Sequence, residues 1–422
     1  MRTGLSVAEA SEAILEHVRP LPGETRAAAD AQGGVLVEEV VSARTLPPAD
    51  CSAMDGYAVR RQDLQGASPA QPVRLPVAFE VAAGHGAETA LPAGSAARIV
   101  TGAPVPRGAD AVVRQEDARA LDGDGVVAFE VEPAAGEHVR EAGEDIAAGE
   151  RVLEAGTLLR PPQLGLLASL GRAVVEVHQR PTVAILSGGD ELVEPDGDVA
   201  GGRIVSSNSY TLAAQCREVG ASPVYLGIAR DRPEDLERRL RAGLRAHCIV
   251  SSAGVSVGDH DYVRPVLEKL GCRLVFWGVN MKPGFPLAFG RFEDGAGPLV
   301  FGLPGNPVSA SVTFELFVRP ALLRMAGHRR IHRPVVSARL ESPLAKNPGR
   351  AHFVRVRLTR DGPDYVARTT GNQSSGVLTS LGLADGLAVF PAEASELAAG
   401  SRVDVLVLDE HVLRSEERGF DG

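Results

Sequence analysis

The 422-residue chain has none of the long hydrophobic runs that mark a membrane protein. Although 44% of its residues are hydrophobic, no run approaches the roughly 20 apolar residues that a bilayer-spanning helix needs. Its first 18 residues contain one early arginine but no continuous apolar core. Ser6 and Glu9 instead have the spacing of a capping box at the start of an amphipathic helix. We therefore expect neither a signal peptide nor a membrane partner.

Cysteine is scarce and widely spaced. The chain has four cysteines, no C-x-x-C pair, and no histidine interleaved with them at zinc-ligand spacing. This pattern indicates neither a disulfide framework nor a zinc site. It fits a protein of the reducing cytoplasm, which is where we expect this one to reside.

Excess positive charge is also missing. The formal net charge is -10, and no run of lysine and arginine is interleaved with aromatic residues. The most basic segment, residues 239–246, lies on a predicted helix with Asp235 and Glu237, and we interpret it as a solvated helix face. A broad phosphate-backbone footprint is therefore excluded, and nucleic acid is not an expected partner.

The hydrophobic pattern changes several times along the chain, which is too long for one core. Short valine-containing runs broken by Gly, Pro and Asp predict a β-rich module, whereas short apolar runs alternating with amphipathic segments predict parallel βαβ units in a three-layer α/β/α domain. The predicted fold class is thus multidomain α/β. The predicted division is a discontinuous helical linker domain at 1–45 plus 141–180, a β-rich inserted domain at 46–140, an α/β/α domain at 181–328, a C-terminal β domain resembling a barrel at 329–411, and a flexible tail at 412–422.

Loops rich in Gly, Ser, Pro and Asp follow the predicted strands of the α/β domain. Ligands of such sheets collect at the carboxyl ends of the strands. The segment GLPGNPVSA places Gly302, Gly305, Asn306 and Ser309 before a predicted helix, where backbone N–H groups favour an anion. Similar turns are common in proteins that bind no ligand, so this segment alone leaves both interpretations open.

Acidic residues are a second feature of these loops. Asp190, Glu191, Asp231, Asp259 and Asp261 would meet at one sheet edge, where carboxylates can hold a hard cation such as Mg²⁺. The alternative is that Asp231 (in a capping box with Glu234) and Asp259 cap helices. Outside this domain, Asp55, Glu144 and Asp145 also lie in predicted turns.

One lysine stands in a stiff turn. Proline fixes φ and removes backbone donors, so the segment MKPGFP presents Lys282 on a rigid bend. Such an ammonium can hold an anion, or it can be an ordinary surface lysine. The segment by itself does not decide between the two.

Seven colinear motifs together carry a resemblance. They are SAMDGYAV (52–59), RIVTGAPVPRGADAVV (98–113), AGEDI (142–146), SGGDEL (187–192), SSAGVSVGDHDYV (251–263), MKPG (281–284) and GLPGNPVSA (302–310). With these motifs the chain closely resembles the molybdopterin molybdenumtransferase family, known as MoeA in bacteria and as the E domain of gephyrin in animals. The resemblance covers residues 6 to about 408.

The resemblance implies a cytoplasmic, elongated homodimer of four-domain subunits whose α/β domain is similar to the MogA-type fold. It implies that adenylylated molybdopterin and molybdate are converted to molybdenum cofactor and AMP with the help of Mg²⁺. It implies an active site shared between the α/β domain of one subunit and the β-rich module of its partner. Molybdopterin adenylyltransferase and downstream cofactor-handling proteins are possible further partners.

Site residues are carried over by motif position. The resemblance implies catalytic roles for Asp55, Thr101, Asp145, Glu191, Asp231, Asp261 and Lys282, with Glu191 and Asp261 near the metal. It implies substrate binding by Arg140, Ser252, Gly254, Ser256, Gly302, Pro304, Gly305, Asn306, Pro307, Ser309, Arg350 and Ser375. Among these, Arg140, Lys282 and Arg350 suit an oxyanion or phosphate, and Pro304, Pro307 and Ser375 suit the pterin.

Gly188 and Ala253 stand where the family usually has a threonine and a glycine, both small changes, and two further departures remove charge. The family commonly has basic residues where this chain has Gly278 and Phe285. Charge-assisted contacts are worth roughly 1.5 to 3 kcal/mol each, so losing two cations should weaken anion binding or change how the anion is held. Besides an ordinary molybdenum insertase, two alternatives therefore remain: a paralogue that uses another substrate or oxyanion, such as tungstate, and a non-catalytic scaffold that binds cofactor or a partner protein. The intact set of acidic motif residues argues against the scaffold.

Overall fold

The computed structural model describes residues 2–84, 89–121, 125–252, 262–292, 295 and 297–414. The helices of this part are α1 (Val7–Leu15), α2 (Pro161–Ser169), α3 (Ser207–Glu218), α4 (Pro233–Gly243), α5 (Val263–Lys269), α6 (Pro307–Thr313), α7 (Arg319–Met325) and α8 (Leu378–Gly382). A π-helical turn, Phe314–Val318, joins α6 to α7. None of these helices is long and apolar enough to cross a bilayer.

The strands of the N-terminal half are β1 (Arg2–Leu5), β2 (Gly23–Ala27), β3 (Val40–Val41), β4 (Cys51–Ser52), β5 (Gly56–Val59), β6 (Val73–Val81), β7 (Ala96–Ile99), β8 (Ala111–Arg114), β9 (Ala118–Leu121), β10 (Val126–Phe129), β11 (Val139–Arg140), β12 (Arg151–Leu153), β13 (Val174–His178), β14 (Thr182–Gly188), β15 (Leu192–Val193) and β16 (Ile204–Val205). Those of the C-terminal half are β17 (Ser222–Ala229), β18 (Cys248–Ser251), β19 (Cys272–Val279), β20 (Met281–Lys282), β21 (Ala288–Phe292), β22 (Leu299–Gly302), β23 (Val335–Leu340), β24 (Leu344–Ala345), β25 (Ala351–Asp361), β26 (Asp364–Thr369), β27 (Gly386–Phe390), β28 (Glu396–Leu397) and β29 (Arg402–Val407).

A seven-stranded sheet forms the α/β/α domain, in the order β1-β19-β21-β22-β18-β14-β17. Its central strands are buried on both faces, as the continuous apolar runs predict: all four residues of β18 are buried. Helices α1, α3, α6 and α7 pack on one face and α4 and α5 on the other. The predicted three-layer architecture is confirmed. Because β14 is parallel to β17 and β18, and β18 is parallel to β22, four strands end at one edge of the sheet.

The N-terminus belongs to this same domain. Strand β1 pairs in parallel with β19, with Arg2 opposite Phe276, and Ala10 and Ile14 of α1 are buried in the α/β core. The capping box predicted from the sequence begins α1, since the Ser6 hydroxyl accepts from the Glu9 N–H at 3.2 Å. The prediction that residues 1–45 lie wholly in a helical linker domain is therefore wrong for this segment.

The remaining residues of the linker region are mostly short strand pairs rather than helices. Strand β2 pairs with β13 and β3 with β12, around the single helix α2. Between them, residues of the inserted region form a six-stranded sheet in the order β8-β5-β7-β6-β10-β9. The inserted region is therefore β-rich, as its broken valine runs predict.

A closed five-stranded barrel ends the described chain. Its strands follow the order β25-β26-β23-β29-β27, and an additional β25–β27 pairing closes the ring. Strand β20 of the preceding domain adds to β25 in parallel, with Met281 opposite Ala351 and Lys282 opposite His352. This pairing attaches the MKPGFP turn to the barrel and creates a cleft between the two domains.

Candidate active site

A cavity of about 590 Å³ lies where the α/β domain meets the C-terminal barrel. Three loops line it, the MKPGFP turn, the PGNP loop after β22 and the loop between β26 and α8, together with Arg350 from the segment just before β25. The lining residues are Met281, Lys282, Pro283, Gly284, Phe285, Pro286, Pro304, Asn306, Ser309, Arg350, Asn372, Gln373, Ser374 and Ser375. Six of the residues carried over from the resemblance, Lys282, Pro304, Asn306, Ser309, Arg350 and Ser375, therefore meet at one place.

The MKPGFP turn is fixed by its packing. Pro283 is buried, and the Lys282–Pro283 peptide is cis. Gly284 has φ +110°, and a Cβ there would lie 2.5 Å from Cγ2 of Thr313 on α6, so a larger residue does not fit. The turn is thus held against α6, and the Lys282 side chain remains exposed at the cavity.

The PGNP loop forms the opposite wall. It begins where Leu303 N–H donates to Ser251 O at 2.7 Å, at the carboxyl end of β18. The Asn208 side chain donates to Gly305 O at 2.8 Å, and Val308 N–H donates to Ser375 O at 3.1 Å. Gly302 ends β22, Gly305 accepts the Asn208 hydrogen bond and Pro307 starts α6, so all three help to shape this wall. None of them is among the residues that line the cavity.

Arg355 supports the third loop and was missed by the sequence analysis. Its side chain is fully buried, and Nη2 donates to Ser374 O at 3.1 Å. Its backbone N–H donates to Gln373 Oε1 at 2.9 Å. Burial lowers the pKa of Arg355 to about 10. The sequence offered one signal for this burial, because Arg355 stands inside the apolar run of β25. The alternation of polar and apolar residues along the strand instead assigns this arginine to the surface.

Two cations give the cavity its charge. In the part of the chain that the structure describes, neither Lys282 nor Arg350 forms a salt bridge or donates a hydrogen bond, and both are exposed. Beneath them, burial, followed by the positive charge of Lys282, lowers the pKa of His352 to about 4. His352 is therefore neutral near pH 7, and the ammonium and the guanidinium remain free to bind an anion.

The acidic loops of the α/β domain meet at the same edge of the sheet. Asp190 N–H donates to Asp231 Oδ2 at 3.4 Å, and Asp231 N–H donates to Asp190 Oδ1 at 3.3 Å. The Glu191 carboxylate lies over Gly189, where a Cβ would be 2.5 Å from Oε2. The structure thus brings Asp190 and Asp231 together, with Glu191 next to Asp190 in the chain. Helix α4 has Arg232 at its N-cap and no side-chain cap bond, so the capping interpretation of Asp231 is wrong.

The described residues do not assemble a metal site from these carboxylates. Outside the undescribed segments, no three His, Cys, Asp or Glu residues are grouped so that they could hold an ion. Ser252 Oγ, just after β18, is buried and has no hydrogen-bond partner among the described residues. Asp259, the predicted ligand Asp261, and the predicted substrate contacts Gly254 and Ser256 lie outside the described residues. What is described does not fit Mg²⁺.

A second polar group lies in the β-rich module. Thr101 donates to Asp55 Oδ1 from its backbone N–H at 2.7 Å and from its hydroxyl at 2.8 Å. These bonds, the backbone one first, lower the pKa of Asp55. The next residue, Gly56, has no room for a side chain, because a Cβ there would lie 2.0 Å from Val113 O.

Arg140 and Asp145 lie on the neighbouring segment. Arg140 on β11 is opposite Cys51 on β4, and its Nε lies 3.5 Å from Oε1 of Glu144. Asp145 N–H donates to Leu46 O at 3.1 Å. Among the residues described, no hydrogen bond or ion pair joins Asp55, Thr101, Arg140 or Asp145 to the cavity of the same chain.

Comparisons with known proteins agree over nearly the whole chain. Three family models match: the MoeA N-terminal region (domains I and II) at residues 5–171, the probable molybdopterin binding domain at 184–324, and the MoeA C-terminal region (domain IV) at 337–408. The chain is 40% identical to molybdopterin molybdenumtransferase 2 of Mycobacterium tuberculosis, over 95% of this chain and 98% of that protein. It is 39% identical to molybdopterin molybdenumtransferase of a Nostoc species, over 90% of this chain and 86% of that protein.

Solved structures give the same result. The fold matches a molybdopterin biosynthesis MoeA protein from Pyrococcus horikoshii with a TM-score of 0.82 at 32% identity, covering 96% of this chain and 99% of that one. Another structure, of a molybdopterin biosynthesis MoeA protein from Pyrococcus horikoshii OT3, matches with a TM-score of 0.79 at 29% identity. The domain order and the overall fold agree with these matches, and the chain belongs to the MoeA family of molybdopterin molybdenumtransferases.

Proposed function

We propose that this protein inserts molybdenum from molybdate into adenylylated molybdopterin and releases AMP and molybdenum cofactor. The observation that carries the proposal is the cavity between the α/β domain and the barrel. It combines two cations that have no salt-bridge partner among the described residues with a wall of Pro, Asn and Ser side chains. Molybdate is a tetrahedral dianion, so it needs cations and N–H donors, whereas a pterin needs a flat wall with a few polar contacts.

The charged and the uncharged residues of the cavity bind different parts of the substrates. Lys282 and Arg350 bind the oxyanion, because an ammonium and a guanidinium are the only side chains in the cavity lining that are positively charged. Pro304, Asn306, Ser309 and Ser375 contact the pterin side of the substrate. The molybdenum enters as substrate, and the two cations reduce the repulsion between molybdate and the anionic phosphates of the nucleotide.

Mg²⁺ remains a requirement implied by the family resemblance. The described residues do not form a set that fits the ion. The requirement is tested by omitting Mg²⁺ from the reaction and by replacing Asp261 with alanine. We expect both changes to abolish AMP release, the second without loss of the fold.

A homodimer is the proposed assembly, with Asp55, Thr101, Arg140 and Asp145 supplied by one subunit to the cavity of the other. This arrangement is supported by the lack of any hydrogen bond or ion pair between these residues and the cavity within the described part of one chain. We place the protein in the cytoplasm, where its four buried free thiols stay reduced. A molybdopterin adenylyltransferase would supply its substrate, and cofactor-handling proteins would accept its product.

The test is a defined reaction. Purified protein is given adenylylated molybdopterin, Mg²⁺ and molybdate, and AMP and molybdenum cofactor are measured over time. We expect molybdate-dependent release of both products, and tungstate in place of molybdate tests the alternative oxyanion. Tight binding of the pterin nucleotide with no AMP release would contradict the enzyme and favour a binding scaffold.

A further inference from the structure

Phe285, at one of the two positions where the family commonly has a basic residue, contacts a cation of the cavity. The Arg350 guanidinium carbon lies over the Phe285 ring, 4.3 Å from its centroid. Both residues line the cavity. An aromatic face attracts a cation in this geometry, and a guanidinium resting on a ring keeps its in-plane N–H donors available for an oxyanion.

The ring is itself held from two sides. Trp277 meets Phe285 edge to face, with ring centroids 5.6 Å apart and an interplanar angle of 86°. The backbone carbonyl of Phe285 accepts hydrogen bonds from Val279 N–H at 2.9 Å and from Leu287 N–H at 2.8 Å. The ring therefore has a fixed position, unlike a free surface side chain.

Gly278 provides the space that the ring occupies. It has φ +83°, and a Cβ at this position would lie 3.3 Å from Cζ of Phe285. A side chain at 278 would crowd the ring, and this backbone conformation is one that residues with a side chain rarely adopt. The two losses of charge therefore fit together: glycine at 278 leaves room for the phenylalanine at 285.

We propose that Phe285 is a positioning residue, which holds Arg350 by a cation–π contact so that its guanidinium can bind the oxyanion. An aromatic support then stands where the family commonly has a second ammonium. This inference rests on the proposed function for the identity of the anion, molybdate. The contacts that position Arg350 do not depend on that identity.

The chain provides a direct optical signal for the test. Trp277 is its only tryptophan and touches Phe285, so anion binding at Arg350 should change the tryptophan fluorescence. Molybdate is titrated into the full-length protein without pterin, and sulfate is the comparison anion. The variants are Phe285→Leu, which removes the ring, and Phe285→Tyr, which keeps it. Phe79→Leu, at a half-buried phenylalanine of the β-rich module, is the matched control.

We expect Phe285→Leu to bind molybdate about two- to five-fold more weakly, which is the effect of losing the free energy of an exposed cation–π pair. Phe285→Tyr and Phe79→Leu should bind like the wild type. In an Arg350→Ala background the Phe285→Leu change should have no further effect, because the ring acts through Arg350. Thermal unfolding of each variant shows that the fold is intact.

Unchanged binding by Phe285→Leu, or the same loss in the Arg350→Ala background, would overturn the inference. Equal losses for Phe285→Leu and Phe285→Tyr would also overturn it, since both rings support a cation. If binding follows the prediction while the protein releases no AMP with its full substrates, the proposed function fails and the role of Phe285 stands.

Discussion

Single residues set the charge of the cavity. Lys282 and Arg350 are exposed cations that form no salt bridge or hydrogen bond in the described structure, and His352 beneath them is kept neutral by burial. Phe285 lines the same cavity and rests against Arg350. A change of charge at residue 285 should therefore act on the anion directly.

Phe285→Lys should lower the molybdate concentration needed for half-maximal rate. The new ammonium adds a charge-assisted contact of about 1.5 to 3 kcal/mol and removes a cation–π contact of about 0.5 to 1 kcal/mol. The net gain of about 0.5 to 2.5 kcal/mol corresponds to a decrease of at least about two-fold. Steady-state rates at several molybdate concentrations and two ionic strengths measure it, and the gain should shrink with salt.

Phe285→Met is the control for this change, because it removes the ring and adds no charge. It should raise the half-saturating concentration. If Phe285→Lys leaves that concentration unchanged, residue 285 does not face the anion.

At the scale of single elements, a buried ionic network holds the α6–α7 helix in place. Arg333 Nε donates to Glu315 Oε2 at 2.9 Å, and its Nη2 donates to Glu218 Oε1 at 2.6 Å. Gln215 of α3 donates to the other oxygen of Glu315 at 2.7 Å. The network thus joins α3, the π-helical turn and the chain that enters the barrel, behind the helix whose start forms a wall of the cavity.

Arg333→Met should destabilise the protein by about 3 kcal/mol, because it leaves Glu315 buried with only the more distant Arg319 as a cation. The measurement is the free energy of unfolding from urea titrations. Arg339→Met, at an exposed pair with Asp361, is the matched control and should cost at most about 1 kcal/mol. Equal small losses for both variants would show that the network is not a stabilising buried one.

Secondary structure followed from the sequence where the pattern was local. The capping box of α1, the parallel strands with continuous apolar runs and the loops at their carboxyl ends were all predicted from residue spacing. Strand β1 was not, because its four residues have no pattern of their own and are ordered by pairing with β19. The burial of Arg355 was hidden for a related reason: alternation assigns arginine to the outer face, and only the loop folded over β25 covers it.

At the scale of the whole molecule, the site could be predicted as a set of motifs but not as a geometry. Lys282, Asn306, Arg350 and Ser375 are far apart in sequence, and the pairing of β20 with β25 is what brings two domains together around them. Periodicity gives no information about such a pairing. Asp55 and Thr101 lie on a different domain. Among the described residues of one chain, no hydrogen bond or ion pair joins them to this cavity.

Mixed dimers test whether the β-rich module serves the partner's cavity. Asp55→Ala and Arg350→Ala should each be inactive alone. If the site is shared, combining the two chains in equal amounts restores about a quarter of wild-type activity, because half the dimers are mixed and each has one intact site of two. No recovery in mixed dimers whose formation is verified would contradict a shared site.

The central claim is that the cavity between the α/β domain and the barrel binds the molybdate. Diffraction from molybdate-soaked crystals at the molybdenum absorption edge locates the metal without reference to any model of the reaction. We expect an anomalous peak between Lys282, Arg350 and Ser375 that is lost in Arg350→Ala. A strong peak elsewhere, with this cavity empty, would contradict it.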